Sequence, residues 1–322
     1  MKVGFLGGAN CHALAMARHF SSVGIDCFGI GRGQVKAPPL FLAPDGYRYY
    51  KAAVGKQNGL VFQALDLEKP DYLVNLCAQG EGAASFGEDS WRFYQTNCVF
   101  LAQLVETLKK KEYLKRFLHV STSELYGSTD YPASEYTKIK ATSPYSISKA
   151  AFDRHLEVMH RIHGFRMNVV RPSNCITGGQ QLHRIVPRAA ISAVYEQKLK
   201  LQGGGLVRKS FLDTEDLAKG LLVVIEKGTV GETYNVGPEN PTRIRDLVAV
   251  VVKTAGTSWS ALVEETPARI GEDSTYWLDS SKLRALGWTP KIALDEAVYR
   301  VVEWARAYPE LAAMPWEYKL TP

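Results

Sequence analysis

Across its first half the chain alternates short aliphatic runs with longer stretches of helical period, and this alternation restricts the fold more than any other feature. Strand-like runs fall at Lys2 to Leu6, Asp26 to Ile30, Tyr72 to Leu76, Phe117 to Ser121 and Met167 to Arg171. Helical stretches lie between them at about Cys11 to Val23, Ser90 to Lys111 and Pro144 to His163. Parallel strands cannot be joined by tight turns and need crossovers, usually helical. The alternation therefore predicts an α/β fold, a doubly wound parallel sheet of Rossmann type covered on both faces. Between Gly33 and Pro70 only a weak strand at Tyr47 to Ala52 is visible. After Pro172 loops lengthen, glycines cluster at Gly203 to Gly205, and helical stretches near Val186 to Gln197, Arg245 to Ala255 and Asp295 to Ala307 alternate with short strand-like pieces. The expectation is a sheet domain over 1–172, completed by part of 211–240, with a smaller, discontinuous α+β lid over 173–322 at the carboxyl edge of the sheet.

With 322 residues the chain can bury a core without disulfides. Its five cysteines are odd in number, widely spaced and lack paired zinc spacing, which fits a reducing compartment and no structural metal. The start, MKVGFLGG, runs straight into an apolar strand instead of a secretory leader, and no window approaches the roughly 20 apolar residues a bilayer requires. A cytoplasmic protein with no membrane partner is expected. The 39 basic against 33 acidic residues give a mild positive balance, scattered apart from Lys109, Lys110 and Lys111. That short run reads as the solvated end of an amphipathic helix, not as a nucleic acid site, and no nucleic acid partner is expected. His155, His160 and His163 share one predicted helix at offsets that present no common metal face.

The first strand runs into Gly7-Gly8-Ala9-Asn10 and then a helix opening near Cys11, the arrangement that sets backbone N–H groups against a pyrophosphate. Gly7, Asn10 and Ala13 occupy the spacing at which such turns carry three glycines. Asn tolerates a positive φ, and Ala still permits close helix packing. The second strand ends at Ile30-Gly31-Arg32 without the acidic residue that receives ribose hydroxyls in NAD sites. Arg32 could instead pair with a 2′-phosphate, so the expected cofactor is NADP or NAD, with NADP favoured.

Tyr145 and Lys149 lie four residues apart in Pro144-Tyr145-Ser146-Ile147-Ser148-Lys149, on one face of a predicted helix. An ammonium beside the phenol stabilises phenolate and lets the tyrosine take a proton from a sugar hydroxyl. The pair gains weight from Ser121-Thr122-Ser123-Glu124-Leu125-Tyr126-Gly127, which follows the fifth strand and so falls at the carboxyl edge, where open α/β sheets bind ligands. Thr122 and Ser123 can hold a substrate oxygen, and Glu124 offers a carboxylate for proton abstraction.

Taken together these pieces resemble the extended short-chain dehydrogenase/reductases and, within them, the nucleotide-sugar 4,6-dehydratases. The resemblance covers nearly the whole chain. It is carried by the opening strand-turn-helix, Asn75-Leu76-Cys77-Ala78-Gln79, Thr96-Asn97, STSELYG, SPYSISK, Arg171-Pro172-Ser173-Asn174, Gly231-Glu232-Thr233-Tyr234-Asn235-Val236-Gly237 and Leu286-Gly287-Trp288. STSELYG, with Ala78-Gln79 and Ser85-Phe86, is similar to GDP-mannose 4,6-dehydratases, whereas SPYSISK and the carboxyl-terminal segments look more like dTDP-glucose 4,6-dehydratases. The resemblance implies that Thr122 assists Tyr145 at the C4 hydroxyl, with Lys149 behind it, and that Glu124 removes the C5 proton. Ser123 stands where many sugar dehydratases have an aspartic acid. Cofactor contacts are implied for Gly7, Asn10, Cys11, Gly31, Arg32, Cys77, Ala78, Gln79, Asn97, Ser121, Tyr145, Lys149 and Pro172. A nucleotide-diphosphate sugar would meet Ser85, Asn174, Lys209 and Arg269, with Arg184 and Arg188 as further candidates. The family also implies a homodimer through the helices Ser90 to Lys111 and Pro144 to His163. The competing readings are a 4-epimerase or 4-ketosugar reductase of the same family, or a dinucleotide-binding protein without catalysis.

Overall fold

The computed structural model describes residues 1–34, 43–80, 82–268 and 273–317. Seven parallel strands form the central sheet. Six follow in chain order: β1 (Lys2–Leu6), β2 (Asp26–Gly31), β3 (Arg48–Lys51), β4 (Tyr72–Asn75), β5 (Arg116–Val120) and β6 (Met167–Pro172). Thr233–Val236 adds beside β6, so the spatial order is β3, β2, β1, β4, β5, β6 and then this last strand. The order reverses between β1 and β4, and a crevice opens at that switch point, outside the carboxyl ends of the strands.

The strands are buried on both sides, and their side chains alternate between two cores. Val3, Phe5, Val74, Leu118 and Val170 face one core, with the helices Cys11–Ser22 and Thr214–Lys227. Leu6, Leu73, Phe117 and Val169 face the other, with the helices Asn58–Glu68, Phe100–Leu108 and Pro144–His163. A third core belongs to the second half of the chain, where Ile185–Val194, Ile244–Ala255 and Leu294–Ala307 pack together. Small strand pairs join this layer to the sheet edge: Asn174–Ile176 beside Phe211–Asp213, and Leu199–Gln202 beside Val263–Thr266.

The doubly wound sheet expected from the alternation is present. Among the elements that escaped the sequence reading are two long helices, Asn58–Glu68 and Thr214–Lys227. The first lies in the Gly33 to Pro70 region, begins without a side-chain cap and carries Gly59 inside it, so it lacks the usual start signals. The helix expected over Ser90 to Lys111 is instead Trp91–Tyr94 and Phe100–Leu108 joined by a π-helical segment, Gln95–Val99. At its end Lys109 pairs with Glu106 and Lys111 with Asp66. Among the described residues no helix is long and apolar enough to cross a membrane.

Candidate active site

A cleft of about 860 Å³ runs along the carboxyl edge of the sheet. Gly7, Asn10 and Cys11 from the β1 turn line it, as do Gly31 and Arg32 at the end of β2, and Cys77 and Ala78 after β4. Ser121, Thr122, Ser123 and Glu124 line it after β5, together with Tyr145, Pro172 and Asn174. Arg184, Arg188 and Lys209 enter from the second half of the chain. The fold thus brings most of the predicted residues to one cavity.

At the first turn Gly7 has φ +78°, and a Cβ there would come within 3.1 Å of the Cys77 nitrogen. Gly8 and Gly29 pack so closely that a Cβ on Gly8 would lie 2.5 Å from the Gly29 Cα. Glycine is therefore required here by both backbone conformation and space. Asn10 differs from expectation: its φ is −82°, and its Oδ1 accepts from the Ala13 N–H at 2.8 Å. It serves as the N-cap of the helix and not as a positive-φ turn residue. A tight glycine turn leading into a capped helix amino end is a fitting cradle for a dinucleotide pyrophosphate. His12 also lines the cleft and bonds Thr214 Oγ1 at 2.9 Å. Burial, and then the nearby Arg184 charge, pull its pKa down to about 4, so it is neutral at pH 7.

Past β5 the chain makes a short 3₁₀ turn, Ser123–Tyr126, whose first N–H groups need an acceptor; Thr122 Oγ1 accepts from the Glu124 N–H at 3.2 Å. The turn closes on Gly127 at φ +65°, where a Cβ would fall 2.6 Å from the Lys140 carbonyl oxygen. Glu124 reaches back across the cleft mouth towards Gly82: an ideal Cβ on Gly82 would lie 2.9 Å from Glu124 Oε2. Tyr145 sits in the first turn of the helix Pro144–His163, which opens with Pro144 and a Ser143–Ser146 capping box. The edge of Phe93 lies against the Tyr145 ring, with centroids 6.3 Å apart.

One turn further along, Lys149 is 2 % exposed. Its ammonium nitrogen donates to the Val120 carbonyl at 2.8 Å and lies 3.2 Å from His119 Nε2. Burial dominates its environment and holds the pKa down at about 8, against the opposing pull of Asp153. Asp153 in turn pairs with Arg171 at 3.0 Å, both in the interior.

Several predicted contacts do not line the cleft. Asn97, in the π-helical segment, is fully buried, and its amide is spent on protein: Oδ1 accepts from Gln79 N at 2.8 Å, while Nδ2 donates to Gln79 O and Ser148 Oγ. It clamps the Ala78-Gln79 backbone to the Tyr145 helix. Gln79 is buried beneath the loop. Ser85 Oγ is turned inward to the Gly82 carbonyl at 2.6 Å. On the far wall the Lys209 ammonium stacks over Tyr276 and the Arg188 guanidinium over Trp316. The Arg184 guanidinium reaches within 3.7 Å of an ideal Cβ on Gly80, so it spans the cleft. Arg269 lies outside the described residues. Gly82, His12 and His119 were missed by sequence reasoning, and only a fold-level placement of their segments could have flagged them.

Strand order and a glycine-turned, helix-capped crevice at the switch point define this molecule as a doubly wound α/β protein of Rossmann type. The sequence profile of the NAD dependent epimerase/dehydratase family matches residues 3–237, and the chain belongs to that family. It is 30% identical over 268 residues to a trifunctional UDP-glucose 4,6-dehydratase/UDP-4-keto-6-deoxy-D-glucose 3,5-epimerase/UDP-4-keto-L-rhamnose-reductase of Arabidopsis thaliana, a match covering 82% of this chain and 40% of the plant protein. The chain thus spans about two fifths of the length of the Arabidopsis proteins it matches. A dTDP-glucose 4,6-dehydratase of Streptomyces niveus is 30% identical over 238 residues, 73% of this chain and 70% of that protein. In fold, the chain superposes on the UDP-glucose 4-epimerase of Thermus thermophilus, solved in complex with NAD, with a TM-score of 0.87 at 22% identity, covering 95% of this chain and 99% of that one.

Proposed function

We propose that the protein is a nucleotide-sugar 4,6-dehydratase. The observation that carries this reading is that Glu124, Tyr145 and Thr122 line one cavity at the carboxyl edge of the sheet. A bound nicotinamide dinucleotide supplies the hydride acceptor and later the hydride donor. Tyr145, one helical turn before Lys149, takes the proton of the C4 hydroxyl, and Thr122 orients that oxygen. Oxidation at C4 acidifies the C5 hydrogen, and the Glu124 carboxylate removes it. Water then leaves from C6. Ser123 lacks a carboxyl group, so Glu124 itself, or a water held by Ser123, delivers the proton to the departing hydroxyl.

Asn174, Lys209, Arg184 and Arg188 enter the same cleft and would receive the substrate diphosphate, with Arg269 as a further candidate. Arg32, exposed at the end of β2 with no carboxylate at that strand end, favours NADP over NAD. We also take residues 1–172, completed by part of 211–240, as the dinucleotide domain and the rest as the substrate domain, a division supported by the separate third core. Trp91, Val99, Ile147 and Ile162 are exposed on the two helices expected to pair in a homodimer. The five unpaired cysteines suit the cytoplasm.

The test is Glu124→Gln supplied with nucleotide hexoses. C4 oxidation persists, seen as the near-ultraviolet absorbance of reduced coenzyme on the protein, while formation of the 6-deoxy-4-keto product falls by about 10²-fold or more. Water elimination at the wild-type rate refutes the assignment. A second reading, a 4-epimerase, is favoured by the serine at Ser123 and is recognised by a product of unchanged mass.

A further inference from the structure

Behind Lys149 lies a buried polar group that the proposed reaction does not use. His119, on β5, is fully buried, and the edge-on ring of Phe152 holds its plane, with centroids 4.7 Å apart at 85°. Its Nδ1 lies 2.9 Å from Asn75 Nδ2, and its Nε2 lies 3.2 Å from Lys149 Nζ and 3.7 Å from Asp153 Oδ1. Asn75 cannot present its other face, because its Oδ1 accepts the Cys77 backbone N–H at 3.1 Å. The Asn75 amide must therefore donate to His119 Nδ1, which leaves Nδ1 as a lone pair. Burial, reinforced by the Lys149 and Arg171 charges, holds the imidazole pKa well below its usual value, so the ring is neutral and its single proton is on Nε2.

We propose that His119, fixed by Asn75 as the Nε2–H tautomer, is a positioning residue that turns an N–H towards Lys149 and so makes its ammonium the less favoured form. A neutral amine can accept that N–H, whereas an ammonium meets it donor to donor. The other groups facing Lys149 are the Asp153 carboxylate on its own helix, held by Arg171 from β6, and the Cys77 thiol after β4, which burial pushes up to about 12 and keeps neutral. When Lys149 is protonated, the Nε2–H keeps Asp153 Oδ1, 3.7 Å away and without a hydrogen bond, as its electrostatic partner. The consequence is a Tyr145–Lys149 pair that holds its proton loosely instead of locking it on the amine.

This inference rests on Tyr145 and Lys149 as the proton-transfer pair. Failure of that reading would show separately, as a Tyr145→Phe protein that still oxidises at C4. The test is the pH profile of C4 oxidation in the holoenzyme, whose alkaline limb marks loss of the Lys149 ammonium. His119→Leu removes the opposing N–H and moves that limb upward by about one pH unit. His119→Gln, whose carboxamide can accept from Asn75 and donate towards Lys149, leaves it near the wild-type position. A limb that stays put or moves down in His119→Leu overturns the proposal. Should that variant fail to fold, the ¹⁵N resonances of His119 in the wild-type holoenzyme decide the matter: a proton on Nε2 upholds it and a proton on Nδ1 overturns it.

Discussion

Replacing Lys149 by methionine should make the coenzyme-free protein more stable at pH 7 while abolishing its chemistry. Methionine nearly matches the length and volume of the lysine stem and brings no charge into a site that is 2 % exposed. The wild-type group must be held as an ammonium at pH 7 although burial has lowered its pKa from 10.5 to about 8. A difference of this size corresponds to about 3 kcal/mol of stability forgone below pH 8. Against this, the variant loses the hydrogen bond to the Val120 carbonyl, for which about 1 kcal/mol is a fair allowance. The net expectation is a gain of about 2 kcal/mol at pH 7. The sign follows from proton counting. For a base with a depressed folded pKa, the unfolded chain binds more protons between the two values, so wild-type stability rises as the pH goes from 8 to 10.5. The advantage of Lys149→Met should therefore shrink over that window and, above it, give way to a deficit of about 1 kcal/mol from the lost hydrogen bond. Urea unfolding of both proteins at pH 7, 9 and 10.5, taken as a difference, removes the titrations they share. A variant less stable than wild type at pH 7, or a difference that does not change with pH, refutes the reasoning. The expected result would make Lys149 a case of stability given up at a functional site.

Two smaller perturbations probe the rest of the cleft. Gly82→Ala places a Cβ 2.9 Å from Glu124 Oε2, and the flexible carboxylate should yield while the fold stays intact. Coenzyme content should be unchanged and kcat for elimination should drop by about 10-fold to 100-fold, read by product mass against time; full activity would show that the carboxylate position is not critical. Arg32→Glu should weaken NADP binding and favour NAD, a change in the ratio of dissociation constants of about 100-fold, measured by fluorescence titration. An unchanged ratio would remove Arg32 from 2′-phosphate recognition.

The positions of Tyr145, Lys149 and Glu124 were legible in the sequence because they depend on local rules. A four-residue helical offset stacks Tyr145 and Lys149, and a strand followed by a Ser/Thr-rich turn places Glu124 at the carboxyl edge. The glycine turn was legible too, although Asn10 does a different job from the one its type suggested, because an N-cap needs only an extended backbone and a short acceptor. Asn97 was expected to contact the cofactor, and in the structure its amide bonds Gln79 and Ser148. A π-helical segment rotates it away from the cleft and under the Gln79 loop, and no periodicity in the sequence announces such a segment.

The sequence by itself determined the layered α/β plan and placed the groups proposed to react, since hydrophobic alternation, caps and short spacings act within a few residues of one another. What surrounds those groups was decided only by the tertiary structure. Asn75 meets His119 because β4 and β5 pair in a register that sets them opposite each other, and Lys149 meets His119 because its helix packs over those strands. Burial, and with it the charge state of Lys149, depends on which distant segments exclude water from it.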